Sequence, residues 1–84
     1  MSDFKHFSVQ VALLGYSKKP VTLKELVKPY TVEELVRAAG LAPDQIGESG
    51  TVEAFYAVDS WSASGSDIVD SDCEIEVSYA PVEE

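Results

Sequence analysis

The segment from Tyr30 to Leu41 constrains the fold most, because it holds one well-punctuated helix between runs of a different, two-residue period. Thr31-Val32-Glu33-Glu34 is a capping box, in which the Thr31 hydroxyl can accept from the Glu34 backbone N–H while the Glu34 carboxylate reaches back to the cap. Tyr30 and Leu35 are placed for a hydrophobic staple, and Glu33 and Glu34 suit the positive end of the helix dipole. Val32, Leu35, Val36 and Ala39 form one apolar stripe, and Gly40 stands where a left-handed residue ends a helix. The spacing predicts about two and a half turns. A helix this short is marginal alone and needs a sheet to lie on.

That sheet is legible on both sides of the helix. Phe7, Val9, Val11 and Leu13 alternate with Ser8, Gln10 and Ala12, the pattern of a half-buried strand. Residues 15–20 have turn chemistry and Val21-Thr22-Leu23 is rich in β-branched residues, which predicts a hairpin with Pro20 at the strand's start or on an edge. Residues 42–50 are rich in breakers and read as a surface loop. Val52, Ala54, Tyr56 and Val58 then alternate with Glu53, Phe55, Ala57 and Asp59, and the apolar character of both sets suits a central strand. Ser60 to Ser66 reads as a small-residue loop carrying Trp61 and Gly65. Cys73, Ile75, Val77 and Tyr79 against Asp72, Glu74, Glu76 and Ser78 give the cleanest alternation, a last strand with one acidic face. Pro81 is expected to end it, leaving residues 81–84 as a short frayed acidic tail. Hairpin, helix and two further strands in a mixed sheet make an α+β domain spanning residues 1–84.

Composition narrows the functions open to such a domain. A chain of 84 residues builds one modest core and leaves little room for a deep cleft. Its 45% hydrophobic and 25% charged content is that of an ordinary globular chain. Cys73 is the single cysteine, which excludes an internal disulfide or a four-cysteine zinc site and fits a reducing cytoplasm. Asp3, Lys5 and Gln10 interrupt the N-terminal stretch, so neither a signal peptide nor a membrane span is expected. The six basic residues, Lys5, Lys18, Lys19, Lys24, Lys28 and Arg37, precede residue 38 beside four acids, and the remainder holds eleven acids and no base. A net charge of −9 with an uncompensated acidic half repels phosphate backbones and anionic lipid. A protein partner with a basic surface is expected, and neither direct nucleic-acid nor membrane binding.

A helix between a hairpin and later strands lets the first and last strands pair in parallel through a crossover, the β-grasp arrangement. Here the residues resemble a family. Thr31-Val32-Glu33-Glu34-Leu35-Val36 followed by Gly40-Leu41 looks like the helix of the small sulfur-carrier and ubiquitin-like proteins of the ThiS and MoaD type. Ile68-Val69-Asp70-Ser71-Asp72-Cys73-Glu74-Ile75 is similar to the approach to their last strand, with Ser71 in place of the usual glycine. The resemblance implies a β-grasp, ubiquitin-like scaffold. Those carriers end in a Gly-Gly whose carboxylate is activated, whereas this chain ends Tyr79-Ala80-Pro81-Val82-Glu83-Glu84 and contains no Gly-Gly. The scaffold is expected to carry over without the carrier chemistry, because fold does not imply function.

The side chains that could carry chemistry are sparse. His6 is the only histidine and has no partner motif. Cys73 falls in phase with Ile75 and Val77, where a thiol acts as a small hydrophobe. Asp67, Asp70, Asp72 and Glu74 lack the spacing and glycine of an EF-hand loop, and a strand sends Asp72 and Glu74 outward in a row. Ser62, Ser64 and Ser66 have no nucleophile-elbow context. No catalytic residue, metal ligand or cofactor is assigned. Trp61 is expected to fold back over the core edge, with an exposed partner anchor as the alternative. Glu53, Asp59, Trp61, Asp72, Glu74 and Glu76 are the candidate partner-binding residues, since carboxylates gathered on one sheet face would steer a basic partner. The expected function is a non-enzymatic protein-binding adaptor or inhibitory protein. The alternatives are an acidic DNA mimic that blocks a nucleic-acid-binding protein, and a sulfur-carrier-like or accessory subunit of an enzyme complex.

Overall fold

The alternating runs at the two ends of the chain form neighbouring strands in the centre of one sheet. In the computed structural model, which describes residues 6–48 and 50–82, β1 (Phe7–Leu13) and β2 (Val21–Leu26) make the antiparallel hairpin. β3 (Tyr30–Thr31) leads into α1 (Val32–Ala38), and a single 3-10 turn over Pro43–Gln45 follows. β4 (Val52–Val58), β5 (Trp61–Ala63), β6 (Ile68–Val69) and β7 (Cys73–Pro81) complete the chain. The main sheet has five strands in the order β2-β1-β7-β4-β5, and β3 pairs with β6 in a second, two-stranded ladder. β1 and β7 run parallel, with Val9 opposite Cys73 and Leu13 opposite Val77, and the other neighbours are antiparallel. The fold is thus α+β, with one helix on a mixed sheet.

The helix begins where the capping box places it. The Glu34 N–H donates to the Thr31 hydroxyl at 3.1 Å, and the Glu34 carboxylate accepts from the Thr31 N–H at 2.9 Å. The two preceding free N–H groups donate to the chain that returns past β5, Val32 to the Asp67 carbonyl at 3.0 Å and Glu33 to the Gly65 carbonyl at 2.9 Å. Gly65 gives the Tyr56 ring room there, since a Cβ would lie 3.1 Å from it and the ring would have to shift. At the other end Gly40 takes φ 78°, its N–H donates to the Arg37 carbonyl, and the Leu41 N–H donates to the Val36 carbonyl. Those two bonds are a Schellman motif, and the burial of Val36 and Leu41 supplies its apolar contact. The helix is seven residues long, shorter than the two and a half turns expected, because Ala39 is already its C-cap and the Gly40 N–H turns to the Arg37 carbonyl.

Val32, Leu35 and Val36 pack onto Phe7, Val9, Val11 and Leu13 of β1 and onto Ile75 and Val77 of β7, forming the core. Seven side chains of this set, Leu35, Ile75, Val9, Val11, Val32, Val36 and Val77, are fully buried.

Two expectations are corrected. Ser60 to Ser66 is not wholly a loop, because Trp61–Ala63 is an edge strand joined to β4 by the two-residue turn Asp59-Ser60. Both turn residues have positive φ, 49° and 72°, as the hairpin turn that matches strand twist demands. Nor does the last strand end before Pro81. Pro81 pairs with Val52 within β7, and the Val82 N–H donates to the Thr51 carbonyl at 3.2 Å. Glu83 and Glu84 lie outside the described residues, as do Asp3 and Lys5.

Candidate protein-docking face

Among the described residues one helix covers one face of the sheet and none covers the other. On the uncovered face β7 presents Glu74, Glu76, Ser78 and Ala80, and β4 presents Glu53, Phe55 and Ala57. Cross-strand register sets Glu53 opposite Ala80, Phe55 opposite Ser78 and Ala57 opposite Glu76, while Ala12 of β1 flanks Glu76 on its other side. Glu76 is therefore half-buried between two alanines. Phe55 stands out of this low, small-residue surface, 52% exposed. Leu14, just past the end of β1, extends the parallel ladder by donating its N–H to the Val77 carbonyl at 2.8 Å, and it too is exposed.

Of the six candidate residues the fold places Glu53, Glu74 and Glu76 on this face, spread along it, with Glu53 opposite Ala80 and Glu74 six residues before Ala80 on β7. Asp59 and Asp72 sit at its end and have structural work. The Asp59 carboxylate accepts from the Glu74 N–H at 3.0 Å, and Asp72 accepts from the Ser8 N–H at 2.7 Å. Each carboxylate satisfies a backbone donor at a sheet margin, as buried or edge N–H groups require. Between them Cys73 is half-buried, and burial, with Asp59 and Asp72 adding to it, pushes its thiol pKa up. The thiol stays protonated.

Trp61 is on neither the uncovered face nor the core. Its cross-strand partner is Val58, whose side chain packs against the core, so Trp61 lies on the helix side of the sheet, at its edge. It is 78% exposed. The expectation that its indole folds over the core is corrected, because β5 is the outermost strand of the sheet.

Phe55, Leu14, Ile68, Val27 and Val82 are the other exposed large apolar side chains among the described residues, and alternation does not single them out. The signal for Phe55 was present, since the run 52–58 is apolar in both registers and one of them had to face outward if no second layer existed. Away from the face, the Tyr79 hydroxyl donates to the Leu41 carbonyl at 2.9 Å and the Tyr16 hydroxyl donates to the Glu48 carboxylate. His6 is exposed at the start of β1, and Ser64 and Ser66 bond each other through their hydroxyls at 3.1 Å. Among the described residues no three His, Cys, Asp or Glu side chains converge on a metal position. No helix there is long and apolar enough to cross a membrane.

Compared with protein-family models, with curated proteins and with solved structures, the chain matches none.

Proposed function

We propose that this chain is a non-enzymatic, β-grasp (ubiquitin-like) protein-binding adaptor or inhibitory protein that docks a basic surface of a protein partner on the uncovered face of its sheet. The strand order β2-β1-β7-β4-β5 with parallel central strands supports the scaffold, as does the resemblance of the helix and of the approach to the last strand to the ThiS and MoaD type. The observation that carries the function is the uncovered face itself. Phe55 stands out of it, with Glu53 two residues away on β4, Glu76 on the diagonal of β7 and Glu74 further along β7, and β4, β5 and β7 contribute no cation.

This layout matches how interfaces divide their work. An aromatic in a flat, small-residue surround provides an anchor that loses water on docking, and peripheral charge sets orientation and association rate. Carboxylates on a rigid strand are held at fixed spacing, so a partner cation meets them without ordering a loop.

The test compares affinity capture from lysate by the wild-type chain, by Phe55→Ala, and by the double variant Glu74→Lys/Glu76→Lys, with circular dichroism verifying the fold of each. Partners retained by the wild type and released by salt are expected to be lost from both variants. Undiminished capture by the folded variants would remove the face from this account.

A further inference from the structure

Trp61 and Ile68 are the two most exposed large apolar side chains among the described residues, at 78% and 62%. They come from different elements, β5 and β6, and line one groove of about 410 Å³ together with Val58, Ala63, Val69 and Asp67. Leaving both in water forgoes the burial that either side chain gains elsewhere, and apolar groups gathered in a concave site mark an interaction surface more often than scattered ones do. The groove lies on the helix side of the sheet, away from the Phe55 face.

Asp67 gives the groove its chemistry. Its position is fixed by the backbone, because its N–H donates to the Ser64 carbonyl at 3.1 Å and its carbonyl accepts from Val32 at 3.0 Å. Oδ2 accepts from the Ser64 N–H at 2.9 Å, and among the described residues Oδ1 has no protein donor. Among the described residues Asp67 is the one charged side chain that lines the groove. A carboxylate anchored by the Ser64 N–H and sharing a groove with an exposed indole is complementary to a planar cation. A guanidinium stacks on an aromatic face and pairs with a carboxylate in the same pose, which a lysine ammonium does less well.

We propose that the Trp61–Ile68 groove docks an arginine-bearing segment of a protein partner, with the guanidinium over the Trp61 indole and paired to Asp67, and a neighbouring apolar side chain against Ile68. This second site goes beyond the Phe55 face and does not depend on it.

Trp61 is the only tryptophan, so its fluorescence reports on the groove alone. The wild-type chain is titrated with a blocked leucine-arginine-leucine peptide and, in parallel, with its leucine-glutamate-leucine counterpart. The arginine peptide is expected to give a saturable change in emission that salt weakens, and the glutamate peptide none. Asp67→Asn, which keeps the acceptor for the Ser64 N–H, and Ile68→Ser, at a position already in solvent, should each weaken the arginine peptide several-fold. Glu74→Lys/Glu76→Lys should leave it unchanged. A flat titration, an equal response to the glutamate peptide, undiminished affinity in both groove variants, or loss of the signal in the Glu74→Lys/Glu76→Lys variant would each overturn the proposal.

Discussion

The Tyr79 hydroxyl spends its proton on the carbonyl of Leu41, a residue only 3% exposed, and so ties β7 to the segment that follows the helix. Tyr79→Phe leaves that carbonyl without its partner and is expected to cost about 1 kcal/mol, read as a lower urea midpoint at unchanged slope. Burial, then the neighbouring Tyr56, pushes the Tyr79 pKa from 10.0 up to about 12. The folded chain therefore keeps a proton that the unfolded chain releases. Its contribution to stability is full below the unfolded value of about 10 and is lost as pH rises through the folded value of about 12. Urea midpoints measured across that alkaline window should fall for the wild type and fall less for Tyr79→Phe. Burial also raises Tyr56, and the bond to Glu48 raises Tyr16, so part of the alkaline loss remains in the variant.

At the scale of elements, the ends of the helix and the β4–β5 turn are the places where single residues decide structure. Thr31→Ala removes the side-chain half of the capping box and is expected to cost about 1 kcal/mol. The same box gives the helix an acid sensitivity. The backbone N–H and hydroxyl of Thr31 hold the Glu34 pKa below its ordinary value, so the contribution is present above the unfolded pKa and is lost as pH falls through the folded one. Thr31→Ala removes only the hydroxyl's share and keeps the larger backbone bond, so the acid limb of the stability curve should become slightly shallower and not disappear. In the turn, Ser60 holds φ 72°, a region in which a side chain is strained. Ser60→Gly should raise stability by about 0.5–1 kcal/mol, seen as a higher thermal midpoint. A fall would mean that the Ser60 side chain stabilises the turn.

For the molecule as a whole, charge is segregated. Lys18, Lys19, Lys24, Lys28 and Arg37 lie on the β1–β2 hairpin, the segment after it and the helix, whereas β4, β7 and the connections around them carry acids alone. The Arg37–Asp44 ion pair, at 3.3 Å, has both side chains more than half exposed and contributes little. With a net charge of −9, repulsion within the acidic half outweighs such pairs. Added salt should therefore raise the Tm of the free chain by screening that repulsion, while weakening capture of a basic partner. Calorimetry in low and high sodium chloride checks the first effect, and a Tm that falls with salt would show that attractive pairs dominate.

The sequence by itself determined the features that follow from local backbone geometry. Capping box, helix stop, strand alternation and the hairpin are written in residues a few positions apart, and β1, β4, β7 and α1 fall where those patterns put them. It also determined that Glu53, Glu74 and Glu76 are out of phase with the core. Tertiary structure decided the rest. Whether Phe55 meets a second layer or solvent depends on there being, among the described residues, one short helix to cover the sheet. β5 escaped notice because Asp59-Ser60 lacks the glycine that usually signals a tight turn, and Trp61 is exposed because β5 became the outermost strand. Asp59 and Asp72 look like surface charges in the sequence, yet they cap backbone donors from strands distant in the chain. No local pattern encodes those pairings, since they exist only once β1, β4 and β7 lie side by side.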